Sequence, residues 1–385
     1  MILKNGLLIK YLGLNDLGFI ELLFALSLIL SGYSLGELPL SALIWVFLLL
    51  AILLRGHKIR MGSYKPLLIF AIYWLLHTVV ILLVDDVNIN GILVQLIYFL
   101  AIFSLHPVLD ITKLRGAINF VSLIVIVGLF YQWGEIVAHG GTHPLEIPGL
   151  TMSKERLGTF SLRPSSFFME PAAYVGFMLS PIALALIDGK LLWAIFLMLS
   201  VFFTSSTTGL VACFVMLAVW AIMQKKSKIL LSVAIIALGL FYALTHFSIF
   251  ETGVEKVNNT DVETNLRLTQ GQYVVSTMEG SEFLFGVPYS SAFNYCKSGR
   301  AANVIYYGDN VFMPTFWEFI LLYGLVGLIL YLMIYYALLK RCVKLLPFIT
   351  CQVLTLFSGG PGIGPSYVFC LVFMLVVSRK YSTVK

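Results

Sequence analysis

The sequence contains few charged residues. Asp, Glu, Lys and Arg make up 11% of its 385 residues, whereas soluble domains usually contain about 25%. Hydrophobic residues make up 59%, against a usual fraction of roughly 45–50%. Because a soluble fold must cover its surface with polar side chains, this composition excludes a soluble enzyme, a disordered chain and a nucleic-acid-binding domain. It is typical of an all-α integral membrane protein, which we expect to form a single polytopic domain over residues 1–385.

Cysteine and histidine are also scarce. The five cysteines and six histidines are scattered, and no group of them has the spacing of metal ligands. A chain of this length with so few cysteines is not a disulfide scaffold. We therefore expect neither a metal site nor a cofactor.

Long apolar runs are abundant instead. A helix needs ~20 mostly apolar residues to cross the ~30 Å hydrocarbon core of a bilayer. Twelve runs approach this length, at 14–32, 38–54, 66–84, 91–107, 117–137, 171–187, 191–205, 208–223, 229–247, 311–338, 345–358 and 366–378. The runs at 191–205 and 345–358 are short enough to be re-entrant segments. Two long polar loops, at 138–170 and 247–310, interrupt the series.

The distribution of basic residues supports this count. Eighteen of the 25 Lys and Arg residues lie at the termini or in the even-numbered gaps between the runs. The short odd-numbered gaps contain none, and the other seven lie in the two long loops. Because Lys and Arg are retained in the cytoplasm, we expect both termini to be cytoplasmic and both long loops to lie on the opposite face.

The end of the first long loop, residues 163–171, reads Arg-Pro-Ser-Ser-Phe-Phe-Met-Glu-Pro. Pro171 suits the first turn of the following helix, and Glu170 suits the positive end of its dipole. This role at the helix start is one explanation for the presence of Glu170. The presence of Arg163 has a structural explanation too, namely that its charged end lies at the membrane surface. An arginine on the outer face runs against the positive-inside bias, however, which favours an anionic partner for Arg163.

The second long loop contains a helix signal. Residues 260–263, Thr-Asp-Val-Glu, match a capping box, and helix-compatible residues continue to Gly280. We expect a helix over 262–278, lying along the membrane surface or over a cavity. A tight packed turn is predicted at 283–288.

Two polar features lie within or between the apolar runs. Glu318 is placed about two turns into the tenth predicted helix, and an ionisable group at membrane depth indicates a functional site. The segment 205–209, Ser-Ser-Thr-Thr-Gly, is consistent either with a tight polar turn or with helix packing through small residues.

Three segments together resemble one family. They are Arg163 to Pro171; Asn265-Leu266-Arg267 with the later Phe285-Gly286; and Asp309-Asn310 with Phe319 and Tyr323-Gly324-Leu325-Val326-Gly327-Leu328. With the twelve-helix plan and its two long loops, they make the chain similar to the O-antigen and capsular polysaccharide polymerases of the Wzy type. The likeness to O-antigen ligases is more distant, because ligases commonly carry a His-Asn pair where this chain has Asp309-Asn310. Family members also often have an arginine where this chain has Thr207.

The resemblance implies a GT-C-like polytopic glycosyltransferase of a bacterial inner membrane. Its substrate would be an oligosaccharide repeat unit on undecaprenyl pyrophosphate, embedded in membrane lipid. The growing glycan would pass from its lipid pyrophosphate to the non-reducing end of a new lipid-linked unit, with inversion and without a metal. The family usually leaves chain length to a separate regulator protein.

The resemblance also suggests site residues. Guanidinium groups bind phosphate oxygens with two hydrogen bonds and stay charged. The expected pyrophosphate ligands are therefore Arg163 and Arg267, and the second choices are Arg156 and Arg300. A carboxylate that accepts the acceptor's proton would be Glu170 or Asp309. Further substrate-binding candidates are Asn310 and Glu318, and Glu318 is also an alternative base.

Two other functions remain open. A ligase would use the same donor and transfer the glycan to lipid A core. A transporter or flippase would move the lipid-linked glycan, but transporters often show internal repeats and broken helices near the midplane. We find no repeat between the two halves, and the conspicuous polar residues lie at one face, which favours chemistry there.

Overall fold

The computed structural model describes residues 5–36, 38–56, 64–84, 89–152, 163–225, 266–302, 304–307, 310–311, 313–357 and 363–382. These residues are predominantly helical, so the expected all-α class is confirmed. In the first part of the chain the helices are α1 (Asn5–Leu12), α2 (Phe19–Ile29), α3 (Leu40–Leu54), α4 (Lys65–Val84), α5 (Ile89–Leu105), α6 (Ile111–His139), α7 (Pro171–Ile187), α8 (Leu191–Phe202) and α9 (Thr207–Met223).

The described residues of the second part form two short helices and four longer ones. They are α10 (Leu266–Ser276), α11 (Gly280–Phe285), α12 (Ala292–Tyr295), α13 (Thr315–Arg341), α14 (Leu346–Leu356) and α15 (Pro365–Lys380). Helix α10 lies within the segment for which the sequence predicts a helix.

Three of the described helices, α4, α6 and α13, are long and apolar enough to cross a membrane. Described helices coincide with eleven of the twelve predicted apolar runs, and the run at 229–247 lies outside the described residues. The number of membrane crossings stays a prediction, because most of these helices are only 10–17 residues long.

The surface of the helix bundle is apolar along α4. Leu76 is 63% exposed and Leu83 is 81% exposed, whereas Phe70 and Trp74 on the same helix are buried. A large exposed apolar surface marks a contact with lipid or with another protein. This face of α4 is therefore consistent with a lipid-facing position.

Helix α15 forms the centre of the bundle. Its side chains from Tyr367 to Ser378 are all buried, and it packs against α2, α5, α6, α7 and α13. Phe369 joins two of these neighbours, with ring centroids 4.9 Å from Phe24 and 5.8 Å from Phe177. A helix that is apolar all round is expected to be enclosed in this way.

The part of the chain that the structure describes also contains two small antiparallel sheets. Strand β1 (Tyr33–Leu35) pairs with β2 (Leu38–Pro39) and with β3 (Thr151–Met152), in the register Tyr33 to Met152. Strands β4 (Tyr306–Tyr307) and β5 (Asn310–Val311) form a hairpin. Because β3 belongs to the first long loop, the first sheet attaches that loop to the connection between α2 and α3.

Candidate functional site around Arg163

The turn before α7 is held by a buried side chain of α6. The Gln132 side-chain oxygen accepts hydrogen bonds from the backbone N–H groups of Ser165 (2.9 Å) and Ser166 (2.6 Å). Its amide nitrogen donates to the carbonyl of His143 (2.6 Å). The Ser166 hydroxyl donates to the carbonyl of Val125 (2.8 Å). The position of residues 163–166 is therefore fixed by their hydrogen bonds to α6.

Replacing Gln132 with leucine should destabilise this turn. Two backbone donors would lose their acceptor, and an unsatisfied buried donor costs about 1–3 kcal/mol. We expect Gln132→Leu to lower the thermal unfolding temperature of the detergent-solubilised protein by several degrees. The control is Gln224→Leu, because Gln224 is exposed at the end of α9. Equal unfolding temperatures for the two variants would show that the Gln132 bonds add no stability.

Arg163 reaches the turn between α8 and α9. Its Nη2 donates a hydrogen bond to the carbonyl of Ser205 (3.2 Å). The same turn is bound to α6 through Trp133, whose indole N–H donates to the carbonyl of Phe203 (2.9 Å). Both segments therefore meet beside the end of α6, although they are about forty residues apart in sequence.

The polar turn marks the beginning of α9. Ser206 is the N-cap, and its hydroxyl accepts a hydrogen bond from the backbone N–H of Gly209 (3.3 Å). Gly209 itself lies against the side chains of Val175 and Val201. The segment 205–209 is therefore both a polar turn and a place where helices pack through a small residue. The start of a helix carries a positive partial charge, and Arg163 adds a full positive charge beside it. This combination suits an anion such as a phosphate group.

Thr207 is the first residue of α9 and is exposed. Members of the family that the sequence resembles often have an arginine at this place, and its absence here argues against a phosphate role for the turn. The structure alters that argument, because Arg163 brings a guanidinium group to the same turn from the first long loop.

Glu170 stands at the beginning of α7. It is the N-cap residue, with Pro171 in the first turn as the sequence predicts. Its backbone carbonyl accepts from the N–H groups of Ala173 (3.1 Å) and Tyr174 (3.3 Å), but its side chain makes no capping hydrogen bond. A carboxylate here is stabilised by the helix dipole, which is compatible with both the structural and the catalytic interpretation.

Arg300 belongs to a different environment. Its guanidinium pairs with the carboxylate of Glu282, and this hydrogen bond raises the pKa of Arg300. Glu282 also accepts a hydrogen bond from the backbone N–H of Glu279 (3.0 Å) in the capping box of α11. Exposed ion pairs contribute little stability, so this pairing does not prevent the predicted contact between Arg300 and the substrate.

Glu318 lies nearer to the helix end than the sequence suggested. Helix α13 begins at Thr315, so Glu318 is in its first turn and not two turns inside. The reason is Pro314, because a proline disfavours helical geometry in the residue before it. Pro314 accordingly becomes the N-cap, and its carbonyl accepts from the backbone N–H of Glu318 (3.1 Å).

The other predicted site residues are placed less completely. Arg267 lies in the first turn of α10 and Asn310 in β5, and for both the structure describes only the backbone. Arg156 and Asp309 lie outside the described residues, as does the predicted capping box at 260–263. Within the described ranges, no three His, Cys, Asp or Glu side chains form a group that could hold a metal ion.

Helix α13 is broken at Gly324, inside the apolar run at 311–338 that the sequence predicts as one continuous helix. Gly324 has φ +65° and ψ −179°, a conformation that glycine adopts far more readily than other residues. The break frees the carbonyl of Leu321, which accepts a hydrogen bond from the backbone N–H of Val287 (2.9 Å). The prediction of a turn over 283–288 is wrong for 283–285, which are the last residues of α11. The segment 283–288 as a whole docks into the gap in α13.

Two glycines make this contact possible. A Cβ atom on Gly286 would overlap the Leu322 carbonyl oxygen, and one on Gly324 would overlap the Leu284 carbonyl oxygen. The Tyr73 hydroxyl on α4 lies within hydrogen-bond distance of the carbonyls of Tyr323 (2.6 Å) and Phe285 (2.9 Å). Phe285-Gly286 and Tyr323-Gly324, which both belong to the segments that carry the resemblance, are therefore in contact although they are far apart in sequence.

No protein-family model matches this sequence, and no curated protein matches it significantly. The resemblance to polysaccharide polymerases consequently depends on the residues quoted above.

Proposed function

We propose that this protein polymerises lipid-linked oligosaccharide repeat units at the periplasmic face of a bacterial inner membrane. The observation that carries the proposal is the Arg163 guanidinium, held against the polar turn that begins α9. In the proposed topology the chain crosses the membrane many times, both termini are cytoplasmic, and this turn lies on the outer face.

The donor pyrophosphate would bind beside Arg163. As the bond between the anomeric carbon and the pyrophosphate oxygen breaks, that oxygen keeps the electron pair and its negative charge grows. A guanidinium group stabilises this charge with paired hydrogen bonds, and the start of α9 adds a favourable dipole. Arg267 in the second long loop is proposed as a further ligand of the same pyrophosphate.

The acceptor sugar would attack from the opposite side of the anomeric carbon. Its hydroxyl oxygen forms the new glycosidic bond while a carboxylate accepts the proton, so a single displacement inverts the anomeric configuration. Glu170 is the preferred base because it begins the helix that packs beside α8 and α9. Asp309 and Glu318 are the alternatives.

A gene deletion tests the polymerase assignment. We expect cells that lack this protein to carry surface glycan with a single repeat unit, because capping with one unit does not need polymerisation. The glycan ladder on a gel should return when the wild-type gene is supplied. Loss of the single-unit band as well would contradict the proposal and indicate ligation or export.

A further inference from the structure

A cleft of about 190 Å³ lies between α4, α5, α13 and the segment after α11. Leu322 and Tyr323, the residues just before the break in α13, form one wall. Trp74 and Thr78 of α4 form another, and Tyr289 lies across from them in the second long loop. The cleft therefore depends on the same docking of loop and helix that the two glycines permit.

The cleft presents an oriented amide group. The Trp74 indole N–H donates to the Gln95 side-chain oxygen (2.9 Å), which leaves the Gln95 nitrogen as a donor. That nitrogen makes no hydrogen bond with any residue that the structure describes. The Thr78 hydroxyl donates to the Trp74 carbonyl (2.8 Å), so its oxygen retains the capacity to accept.

The lining is aromatic and polar but uncharged. Trp74, Tyr289 and Tyr323 are its aromatic residues, and no Asp, Glu, Lys, Arg or His is among the described residues that line the cleft. A pyrophosphate has no counter-charge here, and an acyl chain would cover the Gln95 donor without pairing it, at a cost of about 1–3 kcal/mol. A neutral ligand with hydroxyl groups and an apolar face fits both kinds of lining.

The volume limits the size of that ligand. The cleft holds about 190 Å³. Sites for drug-sized molecules begin at about 300 Å³. One sugar ring fits, whereas a whole repeat unit would have to extend outside.

We infer that this cleft binds a single neutral sugar ring through the Gln95 amide and the ring of Tyr289. On the proposed function, which this assignment extends, the ring is the non-reducing terminal sugar of the acceptor unit. The cleft would then select the acceptor, while Arg163 holds the donor.

The test fills the cleft without straining the backbone. Gly91 lines the cleft, and a Cβ atom added to it meets no atom within 4 Å, so Gly91→Phe should place its ring in the open space. The probe is the lipid-free single repeat unit released from the surface glycan of the same cells. Binding to the purified full-length protein in nanodiscs is measured by titration calorimetry.

We expect wild-type protein to bind the probe, and Gly91→Phe and Gln95→Leu each to weaken the affinity at least about tenfold. Gly134→Phe is the matched control, because Gly134 is also an exposed helical glycine with no atom within 4 Å of an added Cβ. Absence of wild-type binding, or equal binding by Gly91→Phe and wild type, would overturn the inference. A bound lipid that Gly91→Phe displaces, with sugar binding unchanged, would identify an acyl-chain site instead.

The same experiment separates this inference from the proposed function. If binding depends on Gln95 but the deletion strain keeps its glycan ladder, the sugar site stands and the polymerase assignment fails. If the ladder is lost on deletion but Gly91→Phe binds and polymerises normally, only the sugar site fails.

Discussion

Arg163→Ala is expected to give normally inserted protein that makes about 10²–10³-fold less polymer, the usual cost of removing one donor to a developing negative charge. The reason is that the guanidinium group adds a full positive charge beside the start of α9, where the leaving pyrophosphate is proposed to lie. The measurement is the surface-glycan ladder in a deletion strain, normalised to the amount of protein in the membrane. Arg163→Lys should be intermediate, because lysine keeps the charge but not the paired hydrogen bonds.

The control for this prediction is Arg379→Ala. Arg379 also donates to backbone carbonyls, those of His106 (3.0 Å) and Pro107 (2.6 Å), but it lies in the last turn of α15 and has no proposed role in catalysis. We expect Arg379→Ala to keep its ladder per molecule of membrane protein. A wild-type ladder from Arg163→Ala would refute the role of that residue. Equal losses in both variants would attribute the effect to lost packing.

Gly324→Ala is expected to be strongly destabilising. Alanine at φ +65° costs roughly 1–3 kcal/mol in backbone strain, and overlap with the Leu284 carbonyl oxygen adds about 1–3 kcal/mol. The segment 283–288 should then leave the gap in α13. Thermal unfolding would show the lost stability, and limited proteolysis would show faster cleavage at 277–291.

Gly176→Ala serves as the comparison for Gly324→Ala. Gly176 lies inside α7, and an added Cβ meets no atom within 4 Å. Alanine in such a position is favoured by about 0.5–1 kcal/mol over glycine, so the expected effect has the opposite sign. If Gly324→Ala were as stable and as protease-resistant as wild type, the contact between loop and helix would not hold the two together.

Local patterns in the sequence were sufficient for the helical class and for several helix ends. The apolar composition indicates a helical membrane protein because unpaired backbone groups are excluded from lipid. Pro171 predicts the start of α7 because its ring geometry and missing N–H suit that position. The apolar run at 311–338 placed Glu318 too far inside the helix, because Pro314 disfavours helical geometry in the residue before it and α13 begins only at Thr315.

Contacts between distant segments were decided only by the tertiary structure. Nothing near Gln132 in sequence shows that it holds Ser165 and Ser166, although a glutamine in an apolar run is a signal that a buried partner exists. The sequence likewise indicated an anionic partner for Arg163, but it did not show that Arg163 contacts the turn before α9. Hydropathy and capping signals act over a few residues, whereas hydrogen bonds and close packing depend on which helices become neighbours. The sequence by itself therefore determined the helices, and tertiary packing determined which polar groups meet.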